Sequence, residues 1–314
     1  MPINTLQTAT IFMQQLDLTA IQSALTGWMD ANAGQVRYTG GAEVKIPKMA
    51  LQGMANYDRN NGYTKGAIAL EYETRKMTQD RGRLFTLDAM DVDETNFVVT
   101  ASRVMGEFTR EFVVPEIDAY RLSKLITTAM NYENGKNVVY GYVPEEKTIL
   151  KEIKKGIAAI RDAGYNGKLV IHMTSATKLE LEMALSNKIT SVTFCQGGID
   201  TEVPSVDKCA IIETPQNRMY SAITLYDGTS EGQEAGGYVK GSTAKEANFI
   251  ILPQITPIAI TKQDVMRIFD PLTNQKANGW QMDYRRFHDL WTLDNKENSI
   301  YVNLKDAKDA TGGE

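Results

Sequence analysis

Apolar residues recur at spacings of three and four between Arg83 and Asn131 more persistently than elsewhere in the chain. Phe97, Ala101, Val104, Met105, Phe108 and Phe112 form the stripe of a helix buried on one side. Asp91, Asp93 and Glu94 stand at its start, where unpaired backbone N–H groups favour negative charge. Pro115 falls mid-pattern, yet Ile117, Tyr120, Ile126 and Ala129 continue the stripe towards Asn131 and Gly135. An interior proline removes a hydrogen bond and clashes with the preceding turn, so a kink or break is expected near Phe112. With both halves helical the element has about 38 residues and spans roughly 57 Å, longer than a compact domain of this size needs.

Upstream the period changes to two. Val44 and Ile46 alternate with Glu43 and Lys45, which predicts a half-buried strand over 43–49. Gly53, Asn60, Asn61, Gly62 and Gly66 then mark turns. Ile68, Leu70, Tyr72 and Thr74 alternate with Ala69, Glu71, Glu73 and Arg75, and 84–88 supplies a returning strand, with Gln79, Asp80, Arg81 and Gly82 as the turn between them. The expected hairpin carries Lys65, Glu71, Glu73, Arg75, Lys76, Asp80, Arg81 and Arg83, too many charges for burial within its own domain. A two-stranded hairpin is marginal alone, so these eight residues are the expected contacts to another subunit, with a solvated flap as the alternative. Reversing charge at Glu71 and Glu73 together is expected to impair assembly more than folding.

Residues 1–36 contain Asp17 and Asp30 but no Lys or Arg, and Phe12, Leu16, Ile21 and Leu25 hint at short helices too sparse to make a core. The segment is expected either to lie along another surface or to be a partly frayed terminus. Beyond the long helix, Val138 to Tyr142 reads as a short strand. Leu150, Ile153, Ile157 and Ile160 form an amphipathic helix stopping at Gly164, 168–173 a strand, and 175–185 a second helix. Short strands follow through 240, and 147–247 has the order of a small separate module with Ile153, Ile157, Ile160, Leu169, Ile171 and Leu179 as its core. From Asn248 the chain is strand-like again; Trp280, Tyr284, Phe287, Leu290 and Trp291 fill a core beside a terminal strand over 299–303.

Composition narrows the functional classes. Of 314 residues, 42% are hydrophobic and 23% charged, and 34 basic against 39 acidic side chains give a net charge of −5, which argues against a basic nucleic-acid grip. The longest apolar run, 249–260, is broken by Pro253 and Pro257 and is too short to span a bilayer. The N-terminal residues lack the basic and apolar regions of a secretory signal. Cys195 and Cys209 have no CxxC spacing and read as reduced thiols.

Catalytic patterns are thin. Ser175 and Lys178 match SxxK, which would suit serine acyl transfer, but the companion SDN and KTG motifs are absent. Ser175 is better placed to cap a helix. His172 reads as a packed strand residue. His288 beside Asp289 does not form a base and its orienter, because sequence neighbours point apart. Asp88, Asp91, Asp93 and Glu94 do not have EF-hand spacing. No catalytic, cofactor-binding or metal-ligating residue is therefore assigned.

The stretches YDRNNGYTKGAIALEYETRKMTQDRGRLFTLDAMDVDETN, EFTREFVVPEIDAYRLSKL, RIFDP and DYRRFHDLWTLDNK resemble the major capsid proteins of tailed bacteriophages, which share the Hong Kong 97 fold. The resemblance runs from about Glu43 to Asn303. It implies an α+β fold in four parts: an N-terminal arm (1–42), an extended β-hairpin loop (43–90), a peripheral domain built on a long spine helix (91–146 and 248–314) and an axial domain (147–247). It further implies self-assembly as hexamers and pentamers into an icosahedral shell enclosing double-stranded DNA, in a virion assembled in the bacterial cytoplasm. The implied partners are a portal protein and packaged DNA held by proximity, with no membrane and no cofactor. Many members carry a fused scaffolding region; the short arm starting at Met1 implies a separate scaffolding protein. Some relatives crosslink a lysine to an asparagine, for which Lys76 and Asn274 are the conceivable pair. An encapsulin-like nanocompartment shell is the alternative of the same fold, and an acyl-transfer enzyme using Ser175 and Lys178 the alternative of another class.

Overall fold

The computed structural model describes residues 24–308 except 36, 41, 61, 89, 91–100, 186–189, 197–198, 275 and 277. The helices expected around Phe12, Leu16 and Ile21, and the helix start at Asp91, Asp93, Glu94 and Phe97, lie outside the described residues. A 3₁₀ segment, Gly27–Gln35, leads into strands β1 (Arg37–Gly40), β2 (Glu43–Leu51), β3 (Ile68–Lys76) and β4 (Gln79–Asp88). The long helix follows as α1 (Ala101–Phe108), a π turn (Thr109–Val113) and α2 (Val114–Asn131). Next come β5 (Val138–Val139), α3 (Glu146–Asp162), β6 (Leu169–Met173) and α4 (Ser175–Leu185). Strands β7 (Thr190–Gln196), β8 (Ile199–Val206), β9 (Cys209–Glu213), β10 (Ile223–Leu225) and β11 (Tyr238–Lys240) precede β12 (Ala247–Pro253), β13 (Pro257–Phe269), β14 (Gly279–Thr292) and β15 (Tyr301–Leu304).

The main sheet has seven strands in the order β5-β15-β12-β6-β9-β8-β7. Its middle strand β12, ANFIILP, is buried at every residue, as a strand covered on both faces must be. Period-two alternation divides its side chains. Ile250 and Leu252 join Val170, Val302 and Leu304 against Leu122, Leu125, Ile126 and Ala129 of α2. Phe249 and Ile251 join Ile171 and Tyr301 against Ile149, Ile153, Ile157 and Ile160 of α3. Each buried Leu or Ile contributes about 2 kcal/mol, so two helical layers clamp one sheet. Gly156 lets α3 cross closely, since a Cβ there would stand 2.6 Å from Tyr301 and 2.8 Å from Ile251.

That topology corrects the reading of 147–247 as a separate module. β6 pairs along its length with β12, Ile250 opposite His172, so the strands on either side of residue 247 form one sheet. Leu179 is also corrected: it is 56% exposed, and Leu181 takes the core position.

A second sheet, β13-β14-β4, carries the far end of the long helix. Met266, Met282 and Tyr284 bury Met105, with Phe85 and Phe108 packed alongside. Pro115 does not stop the helix. The N–H of Val114 bonds the Thr109 carbonyl, five residues back, and Val113 and Val114 keep right-handed helical angles. The expected break is thus a π turn, which widens the helix just before the proline. It also turns Phe112 out of the stripe: this ring is 51% exposed and faces a cleft of about 270 Å³ shared with Phe85, Phe108 and Arg83.

The hairpin is the largest correction. β3 pairs with β2, from Glu43 opposite Lys76 to Leu51 opposite Ile68, whereas β4 pairs with β14 from Gly279 opposite Asp88 to His288 opposite Gln79. Gln79 to Gly82, for which the sequence predicts a turn, are strand. Gly82 is there because a Cβ would lie 2.7 Å from the Tyr284 carbonyl oxygen. The true hairpin is β2–β3, and its tip is 52–67.

Candidate assembly surface

The β2–β3 hairpin is held only at its base. Val44 and Ile46 are buried with Met77, Ile258, Ile260 and Trp291. Thr78 follows, donating its N–H and hydroxyl to the fully buried Asp289 carboxylate at 3.0 Å each, and Asp289 also accepts from Tyr120 at 2.7 Å and from the Lys124 ammonium. Burial, then the Asp289 charge, raises the Tyr120 hydroxyl above its ordinary range, so it stays a donor. This node ties the root of the hairpin to α2 and β14.

Further out the hairpin leaves the core. The register places Leu51 opposite Ile68, Met49 opposite Leu70 and Pro47 opposite Tyr72, so these six residues share one face. Leu51, Ile68, Met49 and Leu70 are between 53% and 74% exposed. Met54 and Tyr63 extend the apolar surface over the tip, where the rings of Tyr57 and Tyr63 meet edge to face at 4.9 Å and Asp58 pairs with Gly62. Exposed apolar ladders of this kind mark surfaces that another molecule covers.

The eight charged residues singled out in the sequence divide. Glu73 pairs with Arg75 at 3.2 Å and Lys48 at 3.5 Å, and Arg75 reaches Asp294 at 2.6 Å. Asp80 is gripped in bidentate fashion by Arg285 at 2.9 and 2.6 Å, which holds its carboxyl below the usual range. Arg81 clasps Glu116 at 2.8 and 3.0 Å and donates to the carbonyls of Tyr226 and Gly237, while Arg83 donates to the Glu234 carbonyl. These two arginines latch the glycine-rich 226–237 loop onto β4. Lys65, Glu71 and Lys76 are exposed and have no ion-pair partner among the described residues. Sequence reasoning thus found the charges but missed the apolar ladder, whose signal was Met49, Leu51, Ile68 and Leu70 alternating in two strands that belong together.

Also missed was the clamp on the segment before β1. Asp118, fully buried on α2, accepts from the N–H groups of Leu25 and Thr26 at 3.0 Å, from the Thr26 hydroxyl and from Arg218 at 2.8 Å. Arg121, three residues on, binds the Thr26 carbonyl and both oxygens of Asp30. Trp28 is buried in the adjoining core and donates to His172 at 3.3 Å.

The catalytic alternatives find no support in the geometry. The α4 cap is Thr174, whose hydroxyl meets that of Thr177 at 2.8 Å, one residue before the expected Ser175. Lys178 pairs with Glu213 at 2.7 Å and Glu182 at 3.6 Å, and the Glu213 bond raises its pKa, the opposite of what a serine-activating base requires. His172 is packed, with burial pulling its pKa down to about 3. His288 packs its ring edge-on to Tyr120 while Asp289 points to Thr78 and Lys124, so the two do not act on each other. Among the described residues no cluster of three His, Cys, Asp or Glu side chains could hold a metal ion.

No family model matches this sequence, and no curated protein matches it either. Solved structures do. A Gordonia phage Cozz structure superposes with a TM-score of 0.54 at 14% identity, covering 84% of this chain and 81% of that one. The capsid structure of the cyanophage P-SCSP1u gives 0.52 at 12% identity over 85% and 84%. The asymmetric unit of the bacteriophage PhiM1 mature capsid gives 0.52 at 10% identity over 84% and 82%. The chain therefore has the α+β Hong Kong 97 type capsid fold, with its projecting hairpin and long helix.

Proposed function

On that fold, we propose that this protein is the major shell subunit of a tailed-bacteriophage capsid: copies assemble as hexamers and pentamers into an icosahedral shell enclosing double-stranded DNA. The observation that carries the proposal is the β2–β3 hairpin, anchored at one end and apolar along an exposed face that its own subunit leaves uncovered. A neighbouring copy covers that face, with Lys65, Glu71 and Lys76 as the charges free to pair across the contact. The parts play the roles of arm (1–42), extended loop (43–90), peripheral region (91–146 and 248–314) and axial region (147–247). These are positions in a lattice and not folding units, because the seven-stranded sheet spans the last boundary. The net charge of −5 suits a wall that encloses DNA without gripping it. A separate scaffolding protein, a portal and assembly in the bacterial cytoplasm complete the proposal.

The test is electron microscopy and sedimentation of the purified chain, alone and with the scaffolding protein encoded beside it. Closed shells built of rings of five and six are expected. A chain that stays monomeric under both conditions overturns the proposal, and closed shells whose sole content in the producing cell is a cargo enzyme replace DNA packaging with a nanocompartment role.

A further inference from the structure

The cleft beside the π turn, about 270 Å³ in volume, is bounded by the long helix, β4 and the 226–237 loop. Its apolar wall is aromatic. Phe108 and Phe112 stand nearly parallel with ring centroids 6.0 Å apart, and Phe85 meets Phe108 edge to face at 4.9 Å. Arg83 lines the same space and is held in place. It donates to the Glu234 carbonyl at 3.0 Å, and Gly228 lets the loop backbone close on its guanidinium, since a Cβ there would lie 2.8 Å from the Arg83 Nη1. No carboxylate pairs with Arg83 among the described residues, whereas the other two arginines of the cleft, Arg81 and Arg286, are paired with Glu116 and Asp264. Asp227 also lines the cleft, but its carboxylate is taken by the N–H groups of Thr229 and Ser230 and by the Ser230 hydroxyl. Two buried nitrogens of lining residues have no hydrogen-bond partner among the described residues: Arg286 Nε and the Nδ1 of His288, a residue only 4% exposed.

We propose that this cleft is a binding site for a small aromatic carboxylate, whose ring lies against Phe112 and Phe108 and whose carboxylate pairs with Arg83. Its volume falls at the small end of ligand pockets, which suits a molecule of one or two rings and is too little for a helix or strand of a partner. A ring placed against these phenylalanines gains more than the area it buries. The guanidinium, already fixed by the loop, offers a carboxylate charge-assisted N–H bonds at little cost in side-chain freedom. Unpaired buried nitrogens are costly, so a further polar atom on the ligand that meets Arg286 Nε or His288 Nδ1 adds to the affinity. The bound molecule ties the π turn to β4 and the glycine-rich loop, and a ligand that binds only the folded chain raises its stability. One subunit supplies the whole site, so the proposal stands or falls separately from the shell reading.

Three probes that share one ring system test this on the full chain: indole-3-acetate, the neutral indole-3-ethanol and the cationic tryptamine. Titration calorimetry is expected to give indole-3-acetate a Kd on the order of 0.1 mM, as its size allows, with a matching rise in melting temperature. Indole-3-ethanol is expected to bind about tenfold more weakly for want of the charge-assisted bond, and tryptamine more weakly still. Arg83→Gln and Phe112→Ala are each expected to weaken indole-3-acetate about tenfold, the first by removing the charge and the second by removing the ring contact. Both positions are exposed, and circular dichroism melts matching the unaltered chain show that the variants are folded. No binding of indole-3-acetate at concentrations well above the expected Kd overturns the proposal. So does tryptamine binding as tightly as the acid, or an affinity unchanged in both folded variants, which would place the ligand elsewhere.

Discussion

Replacing Leu51, Ile68 and Leu70 by serine removes most of the apolar ladder without touching the anchored base of the hairpin. These side chains are 65%, 74% and 53% exposed in the subunit. Fully burying a Leu or Ile contributes about 2 kcal/mol, so covering side chains exposed to this extent contributes about 4 kcal/mol for the three together. That corresponds to roughly a 700-fold weaker association constant at each hairpin contact. The subunit itself is expected to change by only about 0.5 kcal/mol, because surface positions cost little to alter. The measurement pairs light scattering against protein concentration, which reads assembly, with urea unfolding of the dissociated subunit, which reads folding. An unchanged assembly threshold refutes the reasoning. So does a subunit destabilised in proportion to the assembly loss, since the ladder would then be serving its own core.

Arg81→Ala leaves Glu116 and two loop carbonyls without their donor and is expected to destabilise the subunit by about 2–3 kcal/mol in urea unfolding, with Arg81→Lys recovering little because lysine cannot make the bidentate contact. Asp118→Ala strands the half-buried Arg218 and two backbone N–H groups; a loss of about 3 kcal/mol is expected, with faster proteolysis before Gly27. For His172, burial holds the folded pKa near about 3 against an ordinary 6.5, so the unfolded chain binds the extra proton first. Its neutral form supports the fold fully above pH 6.5, and stability falls as pH drops from 6.5 towards 3. A His172→Gln variant should show a shallower loss of melting temperature over that window; an identical slope would remove His172 as the cause. Lys76→Ala and Glu71→Lys are expected to alter assembly kinetics and their salt dependence with no change in subunit melting, whereas reversing Glu73 also breaks its ties to Arg75 and Lys48.

The long helix, α3, α4 and the buried strand β12 were legible because their periodicity is strong and their neighbours are local. Strand pairing was not. The alternation of Ile68 to Arg75 fits a partner on either side, and the choice between β2 and β4 is decided by β14, which lies some two hundred residues downstream of β4 and occupies its edge. Gly82 misled for a related reason: the turn preference of glycine and the close approach of another backbone leave the same residue in the sequence. In α4, Leu179, Leu181, Met183 and Leu185 alternate every second residue, a period that cannot say which side of a helix is buried. Trp28 was hidden by its polar surroundings. Its burial depends on His172 and Phe194, to which nothing in the local sequence points.

The π turn at Thr109–Val113 acts as a phase shifter. An α-helix advances about 100° per residue, so holding one extra residue in a single turn rotates everything downstream by about that angle. The shift lets a single rod present Met105 to one sheet and Leu122 with Leu125 to another whose face is differently oriented. Deleting one residue from the turn would point the α2 stripe away from β12. The angle between the two sheets is therefore set through one residue of a single helix.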